Sequence, residues 1–499
     1  MSSSADKIHG PVKGGSKLYF LALLGLALAV RVVYLNIPFL EPFNNYSRQS
    51  MSASVARNYY ERGMNLFYPE LDENGAGPSL YNVELPLNAY LTAAVYWAIG
   101  GVREWAARGV TVAFSLVFLL ALYFLVRRAE DGETALGALG LAAFSPMAVA
   151  LSRSVQPDMP MLALGTAALF LFYGYSKSDN RLLLAASAAT LFGAVLLRIF
   201  ALYFFIPILY LAYERDGARC FRMPRYYLAG LAASSALIWY AYMFKMGQSL
   251  DLIYQPYAPR FATSGVGALT WKSFILPAKA VFLHLLTPLG VVVCITGLFE
   301  RGRARRFFLV WLLATAAYLF VMFRAASMHP YYFLPLAPPL AYFFGRGLHF
   351  ARRKASGKVI MPYLAGFLAL MLCLNVYYYY EKLWFVPEDR MVVVEAGKAV
   401  DGLTPVDAVV LTSYGHGPIQ VYYNHRRGWT IDLGAKKDDA GLIEELRGRL
   451  RQGATHYMTS TMADLNARPL FRDYLNNNGR VLAVTPRYVI YELDKLNES

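Results

Sequence analysis

The sequence predicts a polytopic α-helical membrane protein of about eleven spans, followed by a C-terminal α/β domain on the outer side of the membrane. Three observations predict it. Charged residues make up 16% of the 499 residues and hydrophobic ones 57%, whereas a soluble domain carries about 25% charge. Apolar runs of roughly 20 residues, each a helix about 30 Å long, recur through the first three quarters of the chain. From residue 384 onward the texture changes to short strand-like and helix-like pieces.

Taken in order, the leader MSSSADKIHGPVKGGSK is polar and basic, and the apolar run behind it lacks a convincing small-residue cleavage site. It reads as a retained first span rather than a cleaved signal peptide. Candidate spans follow the pattern 18–38, 106–126, 134–151, 159–175, 182–197, 199–213, 226–244, 278–299, 307–324, 331–349 and 359–380. The basic residues test this count. Lys7, Lys13 and Lys17, then Arg127 and Arg128, then Lys177 and Arg181 mark one side. Arg215 to Arg225, Arg301 to Arg306, and Arg352, Arg353, Lys354 and Lys358 continue the series. They fall in every second loop, as the positive-inside rule requires. The net charge of +15 is therefore mostly orientation signal, and a nucleic-acid partner is not needed to explain it. An odd span count puts the N-terminus in the cytoplasm and the C-terminal segment in the periplasm or extracellular space. The expected location is the plasma or inner membrane, multi-pass. Cys220, Cys294 and Cys373 are far apart and show no metal-ligand or disulfide spacing.

The expected division is a transmembrane domain over 1–383, with a first outer loop at 39–105, and a soluble α/β domain over 384–499. In the latter, AVVLTSY and THYMTS read as buried strands, and DAGLIEELRGRLRQG and PLFRDYLNNN as helices. RVLAVTPRYVIYEL reads as a closing hairpin. The segment has no GxGxxG, Walker loop or triad spacing. His416 in SYGHGP is a turn residue or a site.

The first outer loop is the most informative stretch. It contains an amphipathic helix over 48–62, a polar turn Asp72-Glu73-Asn74-Gly75, and a second apolar helix after Pro86. The loop's AxxAR-type helix, its G-x-N-x-x-Y-P stretch and its E-x-P-L-x-x-Y-L stretch resemble membrane glycosyltransferases of the GT-C type that use polyprenyl-phosphate sugars. These are the protein mannosyltransferase and lipid A aminoarabinose transferase relatives. SPMAVALSRSVQPDMPML (145–162), LLRIFALYFFIPILYL (196–211) and RAASMHPYYFLPLAPPLAYFFG (324–345) continue the resemblance in family order. It implies transfer of a hexosyl or pentosyl group from an undecaprenyl- or dolichyl-phosphate donor to an acceptor on the outer face, usually with inversion. The acceptor would be a cell-envelope glycan, lipid A or a protein.

Such chemistry needs a carboxylate for the acceptor hydroxyl, cations for the departing phosphate and an apolar groove for the lipid. The family places an Asp nine residues before the Arg of the AxxAR helix, here Arg57. Counting back gives Arg48-Gln49, and a second family acid falls on Met51. The role of base therefore passes to Glu84 or Asp158. Asp158 begins a span between prolines, with a helix N-cap as the alternative reading; Glu84 could equally form a surface pair with Arg103 or Arg48. Asp72 reads as a solvated loop residue, with metal or acceptor binding as the alternative. Arg198, at a tight outer turn without an adjacent acid in sequence, suits a phosphate, or else snorkels to lipid headgroups. Arg48, Gln49, Arg57, Arg260, Arg324, His329, Tyr331 and Tyr332 complete the expected substrate contacts, with an interfacial aromatic belt as the alternative for the tyrosines. Some relatives use a divalent metal ion, for which Glu84, Asp158 and His329 would have to meet in space. The loop 245–277, with Tyr254, Tyr257, Arg260, Trp271 and Lys272, is a lid or a surface helix. Two other classes fit less well. A non-catalytic binder of lipid-linked glycans would explain the missing acids. A transporter would place its polar residues near mid-membrane and show internal repeats.

Overall fold

The computed structural model describes residues 14–40, 46–81, 84–249, 271–327, 329–354, 384–413, 418–434 and 437–493, with 362, 366, 367, 369–371, 373 and 377. The membrane part is a helical bundle. Helix Gly14–Val32 starts four residues before the expected first span, and Glu104–Ala129, Asp158–Ser178 and Arg181–Leu197 coincide with expected spans. Other spans are broken. Gly132–Phe144 and Pro146–Ser152 meet at 62°, because Pro146 cannot donate to the preceding turn. Ser273–Leu285 and Thr287–Phe299 meet at 86°, just ahead of Pro288. Among the described residues, three helices are long and apolar enough to cross a membrane, or five if each bent pair is one span. The eleven-span expectation is thus met only in part. Its last span, 359–380, lies mostly outside the described residues.

Helices in the bundle cross closely where the sequence supplies glycine. A Cβ at Gly345 would sit 2.2 Å from the Thr134 carbonyl oxygen, one at Gly297 would sit 1.8 Å from that of Phe343, and one at Gly347 would sit 1.9 Å from that of Val293. Without a hydrophobic driving force between helices in lipid, such backbone-to-backbone packing supplies the attraction. Arg153, itself buried, donates to the Arg31 and Tyr34 carbonyls at 3.1 Å and also to that of Val33. It thereby closes the carbonyl end of the first helix.

The C-terminal part contains a five-stranded sheet in the order β4-β3-β5-β7-β6. Its strands are β3 (Val409–Ser413), β4 (Arg427–Ile431), β5 (His456–Thr459), β6 (Arg480–Val484) and β7 (Val489–Glu492); a small hairpin of β1 (Glu70–Leu71) and β2 (Ser79–Leu80) lies in the first outer loop. β3 is parallel to β4 and β5, while β7 is antiparallel to β5 and β6. Val409 and Leu411 face helices Asp439–Arg451 and Pro469–Asn478 through Leu442, Leu446, Phe471 and Leu475. Val410 faces the opposite side, against Ala396 and Val400 of helix Glu388–Leu403. This period-2 alternation between two covered faces explains why β3 is buried along its length. β4 and helix Glu388–Leu403 had no clear sequence signal.

β4 is an edge strand, and the first outer loop covers it. Gly428 N donates to the Asp72 carbonyl and Gly75 N to the Gly428 carbonyl, both at 3.0 Å. The pairing satisfies edge groups that would otherwise invite another chain. Asp72 and Glu73 are consequently buried, at 2% and 8% exposure, which corrects the expectation of a solvated turn.

Candidate functional site: two buried ion pairs where the outer loops meet

The first outer loop helix Tyr46–Arg62 brings Arg48 against Glu84 in a buried ion pair. The Tyr81 hydroxyl donates to the same Glu84 oxygen, Oε1, at 2.8 Å. Burial alone would weaken the Arg48 charge, but Glu84, Tyr81, Tyr331 and Asp158 nearby outweigh it and hold the pKa well above the ordinary arginine value. The residue standing at the family's acidic position therefore neutralises one of the two remaining candidate acids.

The second pair is Arg198 with Asp158. One nitrogen, Nη2, donates to Oδ1 at 2.7 Å and to Oδ2 at 2.9 Å. Both side chains are less than a tenth exposed. This corrects two readings: Arg198 does have an acid beside it, supplied by the turn 40 residues upstream, and Asp158 makes no cap bond to its own helix.

Short polar links hold the two pairs together. Leu85 N donates to the Leu196 carbonyl at 3.1 Å, and the Tyr240 hydroxyl donates to the Val195 and Leu196 carbonyls at 2.8 and 3.1 Å. The residue next to Glu84 is thus tied to the residue two before Arg198. Proline-rich 330–336 supplies the opposite wall, with the Arg198 guanidinium 5.6 Å from the Tyr331 ring and 6.0 Å from that of Tyr332. His329 stacks on Tyr331 at 5.3 Å between centroids. Burial, reinforced by Arg48 and Arg198, lowers its pKa, so the ring is neutral at pH 7.

Two of the expected substrate contacts also join parts of the fold. Gln49 is fully buried and its Oε1 accepts from Val155 N at 3.1 Å, fastening the outer-loop helix to the turn before Asp158. Arg57 donates to Asp72 at 2.7 Å and to the Tyr422 carbonyl at 2.8 Å, so it fastens the same helix to the C-terminal part. Ser54, Asn58 and Arg62 also bind Asp72. Burial opposes the Asp72 charge, yet Arg57 and Arg62 keep its carboxyl below the usual range. Arg324 belongs to the short helix Phe323–Ala326, its side chain lying outside the described residues. Arg260, Tyr254, Tyr257 and His416 also lie outside them. Tyr81 and Tyr240 escaped sequence reading. A Tyr three residues before an acid was the available signal for Tyr81; Tyr240 had none, since its partners are backbone carbonyls more than 40 positions away.

The arrangement does not suit a divalent metal. Each candidate carboxylate already faces an arginine, and no group of three or more His, Cys, Asp or Glu residues able to hold a metal ion occurs among the described residues.

Residues 84–241, which include Glu84, Asp158, Arg198 and Tyr240, match the family model described as dolichyl-phosphate-mannose-protein mannosyltransferase. No curated protein matches in a sequence search. Among solved structures, ArnT from Cupriavidus metallidurans bound to undecaprenyl phosphate aligns with TM-score 0.68 and 14% identity, over 95% of this chain and 98% of that one. AglB from Archaeoglobus fulgidus, in complex with an inhibitory peptide and a dolichol-phosphate, aligns with TM-score 0.60 and 12% identity, over 98% of this chain and 75% of that one. The mycobacterial arabinofuranosyltransferase AftD aligns with TM-score 0.59 and 12% identity, over 96% of this chain and 41% of that one. The resemblance drawn from the short motifs is thus matched by the family model over residues 84–241, and the chain as a whole has the fold of these GT-C glycosyltransferases.

Proposed function

We propose that this protein transfers a sugar from a polyprenyl-phosphate donor to a hydroxyl acceptor at the outer membrane face, with Glu84 as base and Arg198 as the main phosphate contact. The observation that carries this reading is the joining of the two ion pairs, Arg48–Glu84 and Arg198–Asp158, through the Leu196 carbonyl. Acid and leaving-group contacts must converge on one anomeric centre, and a non-catalytic binder would not require two buried carboxylates beside two buried arginines.

The pairs divide the labour. Tyr81 and Arg48 both bind Oε1 of Glu84, which leaves Oε2 to accept the acceptor's proton. Both oxygens of Asp158 are held by Arg198, so Asp158 orients the guanidinium rather than acting as base. In the step, the acceptor oxygen bonds to the anomeric carbon and its proton passes to Glu84. The anomeric carbon–oxygen bond breaks, and its electron pair leaves on the polyprenyl phosphate. The phosphate gains a negative charge as the bond breaks, and Arg198 stabilises that charge with N–H groups not used by Asp158. Neutral His329 donates a hydrogen bond to phosphate or sugar oxygen without adding charge.

The lipid tail would lie along the apolar bundle, the site at the periplasmic or extracellular side, and the acceptor would approach Glu84 from that side. The test is transfer by the purified protein in nanodiscs, using mannosyl-, arabinofuranosyl- and aminoarabinosyl-phosphoprenyl donors with glycan, lipid A and peptide acceptors. Transfer lost in both Glu84→Gln and Arg198→Gln supports the reading. Tight binding of every donor with neither transfer nor donor hydrolysis favours the binding-protein alternative.

A further inference from the structure

Along the bundle from this site, a crevice of about 180 Å³ opens between four helical segments, lined by Phe172, Leu184, Leu191, Ala212, Tyr226 and Gly230 among others. Its walls are almost entirely apolar. Two of them, helices Phe205–Asp216 and Pro224–Ser234, are joined by the turn Gly217–Arg222, which places Arg222 four residues from the wall residue Tyr226 and Arg219 seven from both Ala212 and Tyr226. Arg215 and Arg225 are engaged: Arg215 with Asp179 at 2.5 Å, and Arg225 with Asp216 at 2.9 Å. Arg219 and Arg222, between them, are exposed.

Gly230 shapes the crevice. It sits inside a helix, where glycine costs about 0.5–1 kcal/mol relative to alanine, yet a Cβ there would meet nothing within 4 Å. No neighbouring backbone requires the small residue. What its absent side chain leaves is room in the crevice.

We propose that the crevice binds one acyl chain of an anionic phospholipid, whose headgroup phosphate is held by Arg219 and Arg222. The charge complementarity selects an anionic headgroup over a zwitterionic one, and clusters of arginine beside a span attract anionic lipid at the cytoplasmic leaflet. The crevice's headgroup end is separate from the donor's phosphate contacts: Leu184, the lining residue at that end of helix Arg181–Leu197, lies about 21 Å along the axis from Arg198 at 1.5 Å per residue, and Leu191, at the other end of the lining, about 10 Å. The lipid would wedge the two packed helix pairs and fix the turn between them.

The test is retention of lipid by the full-length protein in neutral detergent, measured by native mass spectrometry. The probes are phosphatidylglycerol and phosphatidylcholine of equal chain length. The wild type is expected to retain phosphatidylglycerol in preference. The Arg219→Gln/Arg222→Gln double variant should bind it about thirtyfold more weakly. Gly230→Leu, which fills the crevice and improves the helix, should lose it while keeping its melting temperature in detergent alone. Equal retention of phosphatidylcholine, unchanged phosphatidylglycerol binding in either variant, or displacement by undecaprenyl phosphate would overturn the assignment. Because none of these readouts uses sugar transfer, the outcome is independent of the proposed enzymatic activity.

Discussion

Replacing Glu84 by Gln separates its proposed role as base from its role as the partner of Arg48. The amide keeps an oxygen for the Tyr81 hydroxyl, now at 2.8 Å from Oε1, so local geometry is retained. What is lost is the proton acceptor. General-base catalysis contributes about 10²–10⁴-fold, or about 2.7–5.4 kcal/mol of barrier at about 1.36 kcal/mol per decade. The same change leaves Arg48 buried without its carboxylate, and breaking a buried pair from one side costs about 3–5 kcal/mol of stability. The two effects part in the Arg48→Met/Glu84→Gln double variant, which removes the stranded charge and should recover most of the stability and none of the turnover. The assay is initial-rate transfer from a radiolabelled phosphoprenyl sugar in nanodiscs, with thermal unfolding measured in parallel. The expected result is a fall in kcat of at least about a hundredfold with KM for the donor little changed, since the phosphate contacts remain. A folded Glu84→Gln enzyme with kcat within about threefold of wild type would refute Glu84 as the base, because a contribution that small is below the range for general bases.

Further consequences follow from other buried charges. Asp158→Asn should strand Arg198 and lower stability by about 3–5 kcal/mol, with Asp158→Asn/Arg198→Met more stable than the single variant on thermal unfolding. Asp72→Ala removes the shared partner of Arg57 and Arg62; limited proteolysis should cut faster within the first outer loop and the C-terminal part, with the membrane helices intact. Glu73 has its pKa pushed up to about 8 by burial and by the Asp72 charge. Between the unfolded value of 4.5 and about 8, the folded state holds a proton that the unfolded chain has released. Stability therefore falls as pH rises through that window, and thermal unfolding of Glu73→Gln from pH 5 to 8 should lack that decline. Gly347→Leu would press a side chain onto the Val293 carbonyl 1.9 Å from its Cβ, and should reduce the folded yield in membranes well beyond a Gly140→Leu control, where a Cβ meets nothing within 4 Å.

The sequence by itself determined the bundle and most of the sheet. Apolar run length reports helices in lipid because every backbone group must be satisfied within the segment, and local periodicity located β3, β5, β7 and helices Asp439–Arg451 and Pro469–Asn478. It also singled out Glu84, Asp158, Arg198 and Arg48, through short motifs in family order. It could not say which charge meets which. Arg198 is 40 residues from Asp158, Arg48 is 36 from Glu84, and Arg57 is 365 from the Tyr422 carbonyl it binds. Only the tertiary structure decided that Arg48 pairs with Glu84, that Arg198 pairs with Asp158, and that Asp72 and Glu73 cover the β4 edge instead of facing water. The physical reason is that helix and strand formation depends on neighbours a few positions apart. The pairing of buried charges depends on which turns the folded chain brings together, and on the cost of leaving any one of them alone.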